Sequence, residues 1–141
     1  MTTLTLSSRS AGDAAVDALV VAVVSGDKGA SLAPGHGLAR RTVTHLGAVI
    51  GDLELAGKVG EVTTLAAVPD VKARVVVLAG VGALGSGTPD TAALEDVRKG
   101  VGAAVRGLAK KKKVAVVVPG TSAPLVAAVA EGASLGAYAV S

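Results

Sequence analysis

Three short runs limit what this chain can fold into: Ala18-Leu19-Val20-Val21-Ala22-Val23-Val24, Arg74-Val75-Val76-Val77-Leu78-Ala79 and Val114-Ala115-Val116-Val117-Val118. Each, from Val75 onward in the second, is apolar at successive rather than alternate positions, rich in β-branched residues and bounded by turn residues, which predicts a strand buried on both faces. Such strands need helices on each side of the sheet. Helical spacing follows: Leu38, Thr42, Leu46 and Val49 recur within 36–50, and a helix capped at Thr88-Pro89 carries Leu94, Val97, Val101, Val105 and Leu108 on one stripe opposite Glu95, Arg98, Lys99 and Arg106. Ser122 and Pro124 open a third helix running to about Leu135, while Leu4-Thr5-Leu6 and Val59 to Val68 have strand character, the latter ended by a Pro69-Asp70 turn. Strand and helix alternate, which predicts an α/β fold with a mostly parallel sheet covered on both faces.

At 141 residues, half of them apolar, the chain is expected to form one domain, residues 1–141, with its own core. Charged residues make up 18%, below the roughly one quarter usual in soluble proteins, so some apolar surface is expected to be left for a partner. No window approaches the roughly 18 uninterrupted apolar residues of a membrane span, and Met1-Thr2-Thr3-Leu4-Thr5-Leu6 lacks the basic start of a signal peptide. The expectation is a soluble, cytoplasmic protein. There is no cysteine, hence no disulfide or thiol chemistry. Tyr138 is the sole aromatic residue, so ring-stacking platforms for bases or sugars cannot be built, and the nineteen glycines imply close backbone approach instead.

Gly80-Val81-Gly82-Ala83-Leu84-Gly85 is a literal G-x-G-x-x-G after a strand, which makes Gly80, Gly82 and Gly85 weak candidates for holding a pyrophosphate. In a dinucleotide fingerprint the helix starts inside the motif; here the Thr88-Pro89 cap starts it later, and the next strand ends in Val118-Pro119-Gly120 without a ribose-binding acid. The motif is therefore read as a plain strand-to-helix loop, with nucleotide binding as the alternative. His36 and His45 are nine residues apart, about 900° of turn on an ideal helix, and so face opposite ways; no metal site is expected. No G-x-S-x-G elbow and no G-x-x-x-x-G-K-[ST] phosphate loop is present, and no catalytic set is found. Lys110 to Lys113 contribute much of the net charge of +3. Between a helix end and a strand they read as solvated lysines, with an unspecific phosphate contact as the functional alternative; nucleic acid is not the expected partner. The last helix differs: from Pro124 to Gly136 its one charge is Glu131, while Leu125, Val126, Val129 and Leu135 spread over more than one face. A helix apolar on two faces is covered on two faces, either by the chain itself or by a second subunit, and these four residues are the interface candidates.

Asp17-Ala18-Leu19-Val20-Val21, the G-K-x-G-E of Gly57 to Glu61, Val75 to Gly82, the V-R-K at Val97, the V-A-V-V-V-P at Val114, and above all A-E-G-x-x-L-G-A-Y from Ala130 to Tyr138 follow one another in this order. The order of segments resembles the N-terminal domain of the leucyl aminopeptidase, or cytosol aminopeptidase, family. The resemblance implies a three-layer α/β/α domain similar to macro domains, in enzymes that are hexamers of two trimers. It also implies that the zinc ligands belong to a following domain, around an N-T-D-A-E-G-R-L motif absent here, so no catalytic residue carries over and no cofactor is expected. Some members bind DNA. Family sequences continue past G-A-Y with basic and aromatic residues; this chain has Ala139-Val140-Ser141.

The reading that follows is a non-catalytic domain for scaffolding and homo-oligomer association, a trimer by preference, whose other partner is the catalytic domain of its parent enzyme. Two alternatives differ in class. One is an engineered self-assembling subunit, to which the apolar, aromatic-poor surface would suit. The other is a nucleotide or ADP-ribose binding module using Gly80 to Gly87.

Overall fold

The β-branched runs become the centre of a six-stranded sheet, and their unbroken apolarity is used on both sides of it. The computed structural model describes residues 3–7, 16–26, 29–32, 38–66, 68–83, 91–108, 113–117 and 123–138, with 3–7, 123, 125 and 134–138 described by backbone alone. In chain order the described elements are β1 (Thr3–Ser7), β2 (Ala18–Val24), β3 (Ser31–Leu32), α1 (Arg40–Asp52), β4 (Val62–Ala66), β5 (Val75–Gly82), α2 (Thr91–Arg106), β6 (Lys113–Val117) and α3 (Ala123–Tyr138), so the strand–helix alternation expected from the sequence breaks at β2–β3 and β4–β5, where antiparallel neighbours follow one another directly. The strand order is β1-β6-β2-β5-β4, with the short β3 antiparallel to the end of β2. The β1–β6, β6–β2 and β2–β5 pairs are parallel and the β4–β5 pair is antiparallel, giving a mostly parallel mixed sheet.

Alternate residues of each central strand supply two separate cores, as the two-residue period of a strand requires. Ala18, Val20 and Ala22, Val77, Ala79 and Val81, and Val114 and Val116 face α2 and α3, joined by Val97, Val101, Val105, Val129 and Ala133. Leu19, Val21, Val23, Val76, Leu78, Ala115 and Val117 face the other way, against Leu46 and Ile50 of α1 and the segment around Val68 and Ala73. Two helices on one face and one on the other make the expected three-layer α/β/α arrangement. Burying a valine or leucine stabilises by roughly 1.5–3 kcal/mol, so these two layers dominate the fold's stability without any aromatic side chain.

Element limits differ from the sequence expectation in physically clear ways. The run 59–68 is strand only at Val62–Ala66, because Lys58 to Glu61 form a turn. Helix α1 begins at Arg40, entered from an extended Ala39 with no side-chain cap, and residues 33–37, including His36, lie outside the described residues. α3 extends to Tyr138, beyond the expected Leu135. β3 has too few residues to leave a periodic signal. The Thr88-Pro89 cap falls outside the described residues.

Candidate functional site

Gly80 and Gly82, the described part of the glycine motif, end β5, and Gly85 lies outside the described residues. Their backbone is already engaged. The Gly80 N–H donates to the Glu61 carbonyl at 2.7 Å and the Gly82 N–H to the Gly57 carbonyl at 2.9 Å, so neither donor points at an open cradle. A Cβ on Gly80 would stand 2.0 Å from the Lys58 carbonyl oxygen, and a Cβ on Gly100 of α2 would stand 2.3 Å from the Gly80 carbonyl oxygen. Glycine at 80 therefore allows the 57–58 backbone to lie on the strand, and glycine at 100 lets α2 approach it. Gly82 has φ of 76°, a left-handed conformation that glycine adopts without strain.

The G-K-x-G-E segment is the other half of this arrangement. The Lys58 carbonyl accepts the Glu61 N–H at 3.0 Å, with Gly60 at the third turn position and φ of 88°, the conformation a type II turn asks of that position. Gly60 and Glu61 together oppose Gly80: the Gly60 N–H donates to the Gly80 carbonyl at 3.3 Å while Gly80 donates to Glu61. Two residues facing one, the first a left-handed glycine, is a G1 bulge, and it starts β4. The Glu61 carboxylate then turns back, its Oε1 accepting the N–H of Ala56 at 3.1 Å and of Gly57 at 3.0 Å. Sequence reasoning missed this role for Glu61; a glutamate one residue after a glycine at the head of a strand was the available signal.

The apolar last helix lies against α2. Val129 is fully buried in the chain's own core and Val126 is half-buried against the same cluster, whereas the side chains of Leu125 and Leu135 are not described. Val129 thus presents no surface to a second subunit, and among the described residues of α3 the outward positions are Pro124, Ala127 and Glu131. Gly132 sets how closely the helices meet: a Cβ there would fall 2.4 Å from the Arg98 carbonyl oxygen. At the same crossing Arg98 Nε donates to Glu131 Oε2 at 2.8 Å and its Nη1 donates to Glu95 Oε2. Desolvation opposes the Arg98 charge, but Glu131 by hydrogen bond and charge, and then Glu95, outweigh it and hold the guanidinium above its ordinary range. The lone charge of α3 is therefore held by the chain's own α2.

Other polar groups also act within the fold. Thr42, fully buried on α1, donates from Oγ1 to the Pro69 carbonyl at 2.7 Å. Asp17 Oδ2 accepts the Lys113 N–H at 3.0 Å where β6 begins. Among the described residues no three His, Cys, Asp or Glu side chains converge as a metal site would require. His45 is half-buried on α1, Lys113 is exposed, and Lys110 to Lys112 lie outside the described residues. No helix among the described residues is long and apolar enough to cross a membrane.

Comparison with known proteins agrees along nearly the whole chain. The N-terminal domain of the cytosol aminopeptidase family matches residues 20–141. The chain is 43% identical over 140 residues to a probable cytosol aminopeptidase of Streptomyces griseus subsp. griseus, covering 99% of this chain and 27% of that protein. It is 40% identical over 135 residues to a probable cytosol aminopeptidase of Micrococcus luteus, covering 96% of this chain and 26% of that protein. In fold it is similar to the bottromycin maturation enzyme BotP in complex with Mn, with a TM-score of 0.57 at 24% identity, over 87% of this chain and 23% of the other. The chain thus spans roughly a quarter of the length of the curated relatives it matches.

Proposed function

This chain belongs to the cytosol aminopeptidase family through its N-terminal domain, and from that premise we propose that its role is non-catalytic: it scaffolds and associates subunits around a catalytic domain. The observation that carries this reading is where the polar groups go. Glu61 holds a turn, Arg98, Glu95 and Glu131 join two helices, and Thr42 fastens α1 to the Pro69 turn, so these five polar side chains serve the fold itself. The match to only about a quarter of each relative supports the same reading, with the reaction assigned to the remaining length.

In the working protein this domain acts in the cytosol, as its relatives' name indicates, with the catalytic domain as its partner in the same polypeptide. Its own copies associate as a small homo-oligomer, a trimer, through the outward side of α3. Light scattering coupled to size exclusion on the purified chain measures this directly, and a mass of three copies is expected. Aminopeptidase assays on the same sample with zinc or manganese added are expected to show no turnover. Hydrolysis of a leucine anilide by the pure chain would overturn the non-catalytic reading, and a strict monomer at all concentrations would overturn the association role.

A further inference from the structure

Among the described residues, β4 has a strand partner on one side of its backbone only. The bonding pattern fixes which side: Glu61 is paired with Gly80 through the bulge, and the Val75 N–H at the start of β5 is taken by the Asp17 carbonyl ahead of β2. Even-numbered residues of β5 therefore bond to β4 and odd-numbered ones to β2. With the register Thr63↔Leu78 and Leu65↔Val76, the N–H and C=O groups of Thr63 and Leu65 face β5, and those of Val62, Thr64 and Ala66 face outward. Among the described residues no strand pairs with that outer side. The side chains of the same three residues are exposed, Val62 by 39%.

Natural sheets protect such edges with charges, proline or a covering element. Val62-Thr63-Thr64-Leu65-Ala66 has neither charge nor proline, and the nearest acid, Glu61, is turned back onto Ala56 and Gly57. We infer that this edge pairs with the same edge of a second copy, antiparallel and centred on Thr64, so that one sheet continues through two molecules. The outward groups are symmetric about Thr64, so a two-fold axis there matches Thr64 with Thr64 and Val62 with Ala66, and every outward donor meets an acceptor. Charge is compatible with this orientation: exposed Lys58 lies at the end of the sheet where β4 starts and exposed Asp70 at the end where it stops, so antiparallel pairing brings unlike charges to the same end of the joined sheet without placing them in contact. Asp70 also lies 3.7 Å from Arg41 of its own chain. The edge is at the far end of the sheet from β1, beside which α3 runs, so it stands independently of association through α3.

Two five-residue edges bury less than the roughly 1,200 Å² of a standard interface, so the pairing is weak and is best captured covalently. The chain has no cysteine, which makes a single introduced thiol unambiguous. In a hydrogen-bonded antiparallel pair the facing Cα atoms lie about 5.5 Å apart, within the range a disulfide spans. Thr64→Cys is expected to form disulfide dimers under oxidised glutathione about tenfold faster than Ala48→Cys, a variant at an exposed site on α1, because pairing raises the local thiol concentration. Equal rates would overturn the inference. On the unmodified chain, amide exchange at Val62, Thr64 and Ala66 should slow as concentration rises, and this measurement decides if Thr64→Cys fails to fold. Exchange that is fast at every concentration overturns the pairing, and so does protection independent of concentration, which would assign the edge to a segment of the same molecule.

Discussion

Replacing a helical glycine by alanine should have opposite consequences at Gly47 and at Gly132, and the difference measures how tightly α2 and α3 are pressed together. Both residues are inside helices, where alanine is favoured over glycine by about 1 kcal/mol. At Gly47, exposed on α1, an added Cβ meets nothing within 4 Å, so Gly47→Ala should gain most of that preference. At Gly132 the Cβ would meet the Arg98 carbonyl oxygen at 2.4 Å, the Arg98 Cα at 3.0 Å and its carbonyl carbon at 3.1 Å, all backbone. Ordinary contact begins near 3.4 Å, so the helices must separate by about 1 Å at this crossing, and no flexible side chain can absorb the shift. Overpacking of this kind costs about 1–3 kcal/mol, and opening the interface also loosens Val129 and Ala133 from Val101 and Val105. Gly132→Ala should therefore be net destabilising by about 1–2 kcal/mol, and the two variants should differ by about 2–3 kcal/mol. At about 4 °C per kcal/mol for a domain of this size, their melting temperatures should lie about 10 °C apart. With no tryptophan in the chain, urea and thermal unfolding are best followed by far-ultraviolet circular dichroism. A Gly132→Ala protein as stable as Gly47→Ala would refute the close crossing.

Four further outcomes follow from the polar contacts. Glu61→Ala leaves the Ala56 and Gly57 N–H groups without their acceptor and should lower unfolding free energy by about 1–3 kcal/mol, with Glu61→Gln losing less, as measured by urea midpoints. Thr42→Val keeps the shape of a fully buried side chain but strips the Pro69 carbonyl of its donor, which should cost about 1–2 kcal/mol by the same assay. Glu131→Gln should lower the melting temperature by only a few degrees, a difference that shrinks as salt is raised, because the pair is exposed. Since the folded-state Arg98 pKa is raised, its stabilising share is fully present below the ordinary guanidinium range and is lost only as pH rises through the still higher folded value. Melting curves of an Arg98→Met variant and the unmodified chain should thus stay a constant distance apart between neutral and mildly alkaline pH.

The sheet was legible because its strands have two buried faces: Ala18–Val24 and Val75–Ala79 could satisfy that condition only at the middle of a covered sheet. The stripe from Leu94 to Leu108 was legible for the same reason, as Val97, Val101 and Val105 all reach the core. What escaped was tertiary. Whether Val129 faces a neighbouring subunit or its own sheet is not a property of α3, whose apolar residues run around the helix; it depends on Gly132 bringing α2 within contact. The extent of β4 escaped likewise, because Val59 is as strand-prone as Val62 and only the left-handed Gly60 moves the strand's start.

The glycine motif gives the clearest case of one pattern serving either of two chemistries, and ligand addition separates them. In a phosphate loop the glycines clear space for an anion and direct free N–H groups at it. Here the space around Gly80 holds the Lys58 carbonyl, an oxygen that would repel a phosphate, and the Gly80 and Gly82 donors are already bonded to Glu61 and Gly57. For a pyrophosphate to use these donors, the 57–61 turn would have to leave the strand, breaking the bulge and exposing the Glu61 carboxylate to the incoming charge. ADP-ribose or NAD at millimolar concentration should accordingly leave the melting temperature unchanged. A ligand bound at a hundred times its dissociation constant stabilises by about 2.7 kcal/mol, which for this chain corresponds to about 10 °C. A rise of that size, lost in a Gly82→Ala variant that still folds, would show that the turn yields to phosphate and that the bonds at Gly80 and Gly82 are exchangeable.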